Sequence, residues 1–247
     1  AMFAVVDAVL LRPLPYPAPT EVAIVRETSA GGDPSNLGYL TFVDLRERAR
    51  SFRAMAAVST SVATLSGDGR DAERVNAMRA SAAYFDVIGV GPAIGRAFTD
   101  AEDRPGAARR VVILADSVWR RRFGADPGVV GRPLLVGGTP FTVIGVMPRG
   151  FEDLVASRLY DGAELWVPLG YDPAASFACR TCRHLRVFGR LAPDVSAAEA
   201  TREASGVLAA LGAEHPLEYH EPGVVVTGLG DFFLGPVRTT MLVLWAG

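Results

Sequence analysis

The sequence predicts an α+β fold, and three observations carry that prediction. Runs such as EVAIVRE (21–27), RVVIL (110–114) and HLRVFGRL (184–191) have the length and patterning of strands. Thr99 and Ser196 each stand three residues ahead of a glutamate, Glu102 and Glu199, the signature of a capped helix start. The order of signals is β-α-β-β-α, then a mostly β block, then β-α-β, which points to an α+β fold carrying a β-rich insertion.

Taken in order, Pro13, Pro15, Pro17 and Pro19 alternate, so the lead-in is expected to be extended and stiff. Glu21–Glu27 reads as a strand and 31–36 as a loop. Thr41-Phe-Val-Asp44 resembles a capping box opening a helix to about Arg50. Phe52–Leu65, small and β-branched, reads as one strand or two, ended by the turn cluster SGDGRD (66–71). Glu73–Ala80 is a further strand, and Ser81 is expected to cap a short helix that Gly89 stops after Ile88.

In the second region, Arg110–Leu114 reads as a short buried strand. Asp116 is expected to cap a helix over SVWRRRF, closed by Gly124. Arg132–Val136 and Phe141–Val146 flank a hairpin turn at Gly137-Gly138. Leu165–Val167 and His184–Leu191 are strands. The helix from Ser196 to about Leu211 gathers Ala200, Ala204, Val207, Leu208 and Leu211 on one face, with Gly212 placed to end it, and Gly223–Leu229 is the closing strand.

Composition removes several functions. With 25 basic and 27 acidic residues, the chain lacks the positive excess of a nucleic-acid binder, so no nucleic-acid partner is expected. It has no lysine, which excludes a GxxxxGK[ST] phosphate loop and Schiff-base chemistry. No GxSxG or HExxH occurs, and three histidines leave little for acid–base work, so no catalytic residue is assigned. The acids Asp100, Glu102 and Asp103 read as a solvated loop rather than a cation site, and no metal or cofactor ligand set is assigned. Arg120-Arg121-Arg122 reads as a solvated helix face with one arginine turned inward, over a buried Trp119/Phe123 stripe.

Two features stay open at this level. The ends are apolar, at 1–11 and Met241–Ala246, without the pattern of a signal peptide and too short to span a bilayer. They suit amphipathic terminal helices, or stubs of two membrane helices. In the second case Arg12 and Arg238 would sit at the membrane surface and Trp245 in the interfacial belt. The only two cysteines, Cys179 and Cys182, precede His184. They could supply three zinc ligands, with His215 or His220 as the fourth, or a redox pair. A thioredoxin-like pair follows a strand and opens a helix, whereas this one precedes a strand.

Longer ordered motifs carry a resemblance. LLRPLPYP (10–17), Asp44-Leu-Arg46, RASAAYFDVIGVGPAIGRAFT (79–99), VVILADSVWRRRFGADPGVVGRPLLVGGTPFTVIGVMPRGF (111–151), ELWVPL (164–169) and LRVFGRLAPDVS (185–196) span nearly the whole chain. Together they resemble the periplasmic core domain of MacB-like ABC transporter permeases, and with ACRTCRHL the acidobacterial-type duplicated orphan permeases.

The resemblance implies a porter-like βαβ subdomain with an inserted mostly-β subdomain. Its expected division is 1–19 as a membrane-helix stub and linker, 20–104 with 184–237 as the porter-like part, 105–183 as the insertion, and 238–247 as the start of a second membrane helix. It implies a non-catalytic domain outside the cytoplasm at a bacterial inner membrane, passing ATPase-driven motion to export. ATP would bind a separate nucleotide-binding domain, and this chain would need no cofactor. Implied partners are an ABC ATPase reached through the permease, a second permease copy, a periplasmic adaptor or outer-membrane channel, and the membrane. In that oxidising compartment a disulfide between Cys179 and Cys182 is the default. The alternatives are a freestanding small-molecule or lipid-binding module, and a zinc or redox protein built on Cys179, Cys182 and His184.

Overall fold

The computed structural model describes residues 16–28, 32–104, 110–151, 153, 162–219, 222–233 and 235. Its elements in chain order are β1 (Val22–Thr28), α1 (Tyr39–Arg48), β2 (Phe52–Ser66), β3 (Glu73–Ala80), α2 (Tyr84–Ile88), β4 (Ile94–Gly95) and α3 (Asp100–Asp103). There follow β5 (Val111–Leu114), α4 (Asp116–Phe123), β6 (Pro133–Val136), β7 (Thr139–Val146), β8 (Leu165–Pro168), β9 (Arg186–Leu191), α5 (Ala197–Glu214) and β10 (Gly223–Gly228). The α+β class is the one observed.

All the described strands join one mixed sheet in the order β10-β1-β9-β2-β3-β8-β5-β7-β4, with β6 bridging β2 and β7. The 15-residue β2 makes this continuity possible. Its first half pairs with β9 and its second half with β3, so one strand serves two neighbours in stagger. The parallel β3–β8 pair then carries the sheet into the strands of the 111–168 segment.

Alternation along the strands sorts the core. On one face Val22, Ile24, Met78, Ile113, Ile144, Trp166 and Phe188 form a single layer running under the whole sheet, covered by α2 and by residues at both described chain ends. The opposite face is split. Ala23, Val25, Met55 and Val187 pack under α1 and α5, whereas Val75, Val112, Leu114 and Val143 pack under α4. The two parts of the molecule are thus distinct in their helical cover and continuous in their sheet.

Several local expectations need correction. Pro13 and Pro15 lie outside the described residues; at the end of the lead-in Ala18 turns into the left-handed region (φ 45°) and Pro19–Glu21 form a 3₁₀ turn, not an extended segment. α1 is capped by Gly38, not Thr41. The Thr41 hydroxyl is instead 2.6 Å from the Tyr219 hydroxyl, deep under α5. Ser81 does not cap α2, whose N-cap is Ala83; the Ser81 Oγ accepts the Ala57 N–H at 3.0 Å where the β2–β3 ladder ends. Asp116 is the first residue of α4 rather than its cap, and accepts from Arg120 one turn on at 2.7 Å. α5 passes through Gly212 to Glu214; a side chain at 212 would crowd Pro222.

Other signals hold. Ser196 and Glu199 cap α5 reciprocally, Gly89 and Gly124 end their helices in the left-handed region, and Gly137-Gly138 make the β6–β7 turn. Within the arginine triplet Arg122 turns inward, 5% exposed, and is held by Asp68 and Glu73. Burial of Trp119 and Phe123 forms the expected stripe.

β10 is an edge strand, and α5 closes its outer side. Ser205 both donates to the Val224 carbonyl and accepts the Val224 N–H, at 3.1 Å each. Thr201, one turn earlier, accepts the Val226 N–H at 3.0 Å. Four helical residues rise about 6 Å and two strand residues about 6.7 Å, so hydroxyls one turn apart match the outward groups of alternate strand residues.

Candidate functional site

The ends of β1 define two places where the molecule gathers polar and chain-end groups. β1 is antiparallel to both neighbours: Ala23 faces Gly228 and Val22 faces Arg190 at one end, while Thr28 faces Gly223 and Val25 faces Val187 toward the other. The chain therefore enters β1 and leaves β10 at the same end, here called the root end. The segment holding Cys179, Cys182 and His184 feeds β9 from the opposite, distal end, about 20 Å away along the seven-residue strand.

At the root end both described chain termini enter the shared core layer. Tyr16 on the way in, and Leu229 and Phe233 on the way out, are buried among the same side chains as Val22, Tyr84 and Phe188. Arg26 places its guanidinium 5.2 Å from the centre of the Phe232 ring. The polar group of this end is Arg190, 4% exposed. It projects from β9 on the face of Phe188, donating through Nε to the Val87 carbonyl (2.8 Å) and through both terminal nitrogens to the Pro17 carbonyl (3.2 Å). One of those nitrogens also reaches Glu21 Oε2 at 3.1 Å. Gly89 packs against this guanidinium so tightly that a Cβ there would lie 2.8 Å from it.

At the distal end Cys179 and Cys182 are joined side chain to side chain, their Cα atoms 5.3 Å apart. The short loop they close presses its backbone onto the start of α1. A side chain at Gly38 would collide with the carbonyls of Cys179 and Arg180, which is why glycine caps that helix. Arg180, inside the loop, pairs with Asp44 of α1 and, at 3.0 Å, with Glu218 beyond α5. Nearby, Glu27 is buried and pairs with Arg183 at 2.9 Å; burial outweighs that guanidinium and raises its carboxyl above the ordinary range. Its second oxygen has no hydrogen-bond partner among the described residues.

His184 is already engaged. Nδ1 lies 2.6 Å from the Cys182 carbonyl, Nε2 lies 3.2 Å from the Tyr171 hydroxyl, and the ring stacks on Tyr171. Among the described residues no group of three histidines, cysteines or acids is placed to hold a metal. His220, Arg12, Arg238 and Trp245 lie outside the described residues, and so do both apolar ends; no described helix is long and apolar enough to cross a membrane.

A cleft of about 390 Å³ opens among Tyr39, Arg46, Ala82, Asp103 and Gly170. One of its acids serves the fold. Asp103 accepts the N–H groups of Ala82 (2.9 Å) and Gly170 (2.8 Å), and burial raises its carboxyl. Beyond it Glu102 closes the α3 capping box and takes two bonds from Arg96, whose guanidinium holds that carboxyl down to about 2. Sequence reasoning passed over Arg190 and Arg180. The signal for Arg190 was a charge two residues after Phe188, on the inward side of an apolar strand; nothing in the linear sequence marked Arg180.

Comparison with known proteins is consistent with this architecture. The family described as MacB-like periplasmic core domain matches residues 1–207. A permease-protein domain from Porphyromonas gingivalis superimposes with a TM-score of 0.65 at 17% identity, covering 87% of this chain and 93% of that one. The periplasmic region of MacB from Actinobacillus actinomycetemcomitans gives 0.63 at 18% identity, over 89% and 93%. The macrolide export ATP-binding/permease protein MacB of Nitrosomonas europaea is 46% identical over 68 residues, which is 27% of this chain and 10% of that relative. The match thus spans about a tenth of that relative's length.

Proposed function

The chain belongs to the MacB-like periplasmic core domain family, and from that premise we propose that it is the extracytoplasmic, non-catalytic domain of an ABC transporter permease. In this reading it passes ATPase-driven movement of membrane helices to substrate export or extraction, or to periplasmic partners. The carrying observation is that both described chain ends emerge at one end of the sheet and share one core layer. A domain driven by two membrane helices needs its two attachments side by side and rigidly joined. Asp103, which lines the cleft, is committed to two backbone N–H groups, which supports a role without bond-making chemistry.

The 20–104 and 184–237 strands act as the porter-like part and 105–183 as the insertion, joined through β3–β8. ATP binds a separate domain, two permease copies work together at the bacterial inner membrane, and an adaptor or outer-membrane channel meets the distal side. Cys179 and Cys182 are oxidised in that compartment and stiffen the distal loop.

Thiol labelling in the parent protein tests this. Val62 is exposed on β2. A Val62→Cys variant in cells whose outer membrane is permeabilised should react with a membrane-impermeant maleimide. Labelling only after the inner membrane is breached would overturn the reading.

A further inference from the structure

We infer that Arg190 is the positioning residue of the first root, locking a strained turn at Ala18 so that movement of the lead-in reaches the sheet without loss. The inference rests on the transmission reading above. Two independent observations meet here. Ala18 is one of three described non-glycine residues with positive φ, at φ 45° and ψ 60°, a conformation that an L side chain adopts at a cost. Such a conformation persists only where its surroundings over-determine it. The preceding residue is the one Arg190 grips, with two terminal nitrogens on the Pro17 carbonyl.

The rest of the guanidinium shows what the turn is tied to. Nε holds the Val87 carbonyl near the end of α2, and a terminal nitrogen holds Glu21, which also binds Arg53 of β2 at 2.6 Å. One side chain therefore links the lead-in, the cover of the shared core layer and, through Glu21, the long strand that joins both parts of the sheet. A leucine or methionine would fill this position without desolvating a charge, so packing alone does not account for the arginine. Lysine is a poor substitute, because one ammonium cannot span carbonyls on two segments in a planar fork. Gly89 completes the arrangement, since any side chain there would displace the guanidinium.

Without this grip the turn between Pro17 and Pro19 becomes a hinge, and a hinge in series with a lever absorbs its displacement. The test uses the full permease in nanodiscs with its ATPase and gadolinium-bearing lipids. A spin label at Val62→Cys reports the domain's distance from the bilayer with and without ATP. The unaltered protein should show an ATP-dependent shift. In Arg190→Met and Arg190→Lys that shift should fall to about half or less while ATP hydrolysis persists. Ala18→Gly, which leaves the buried charge in place but makes the turn pliant, should reduce it partially with an unchanged or higher melting temperature. If either Arg190 variant fails to fold, the other and Ala18→Gly carry the comparison. A full shift in Ala18→Gly and in a folded Arg190 variant overturns the inference and leaves the transmission reading standing. No ATP-dependent shift in the unaltered protein overturns both.

Discussion

The root and distal ends are each organised by one arginine, and the two grip different acceptors. Arg190 holds mainly backbone carbonyls, of Pro17 and Val87, from a position 4% exposed. Arg180 holds carboxylates, of Asp44 and Glu218, the latter nearly half exposed. Carbonyls do not titrate, and a desolvated bond to them is little screened by salt, whereas ion pairs near solvent weaken with both acid and ionic strength. The root end is therefore built to keep its geometry under changing conditions. The distal end draws on a covalent clip, Cys179–Cys182, where its electrostatics are soft.

The sharpest way to break this contrast is Arg190→Met. It strands the buried Val87 carbonyl and removes the partner of the Pro17 carbonyl, and should cost about 2–3 kcal/mol in denaturant unfolding, nearly the same at low and high salt. A loss that shrinks markedly with salt would put the two ends in one class. Next, the double change Cys179→Ser/Cys182→Ser should cost about 2 kcal/mol by loop entropy alone, and should leave the salt sensitivity of unfolding greater than before. Ala18→Gly should act in the opposite direction at the root. Relief of the left-handed strain outweighs the freedom gained by the unfolded chain, for a net gain of about 0.5–1 kcal/mol. Loss of stability would mean that the turn is unstrained.

The smallest effect concerns Glu27 at the distal end. Burial raises its carboxyl above 4.5 in the folded state, so its ionised form costs stability as pH rises through that raised value. Glu27→Gln should therefore raise stability at pH 7 by less than about 1 kcal/mol, with Arg183 left to solvent. The gain should fade as pH falls through that raised value and the native Glu27 takes up its proton. An advantage that grew on acidification would reverse the assignment.

Much of this organisation was legible in the sequence where local chemistry decides it. Ser196 with Glu199, Gly89, Gly124 and Gly137-Gly138 set their own backbone geometry and lie where expected. The misplaced caps at Thr41, Ser81 and Asp116 share one cause. Each polar side chain had two uses, and another partner won: Tyr219 for Thr41 and the Ala57 amide for Ser81 across the fold, and Arg120 one turn along the same helix for Asp116. The cysteine pair was visible as a pair, but its seat on α1 depends on Gly38, far away along the chain. Arg190 showed only as a charge on the inward side of an apolar strand. Its acceptors are carbonyls, which every residue carries and no sequence pattern flags.

The hydroxyls of Thr201 and Ser205 on the rim of β10 carry a last implication. Proteins crowded side by side on a surface meet at high local concentration, where an open ribbon of peptide groups invites polymerisation into ever-wider ribbons. Here the outward groups of Val224 and Val226 are already taken by the protein's own helix, so that stretch of the rim is closed to pairing with another strand.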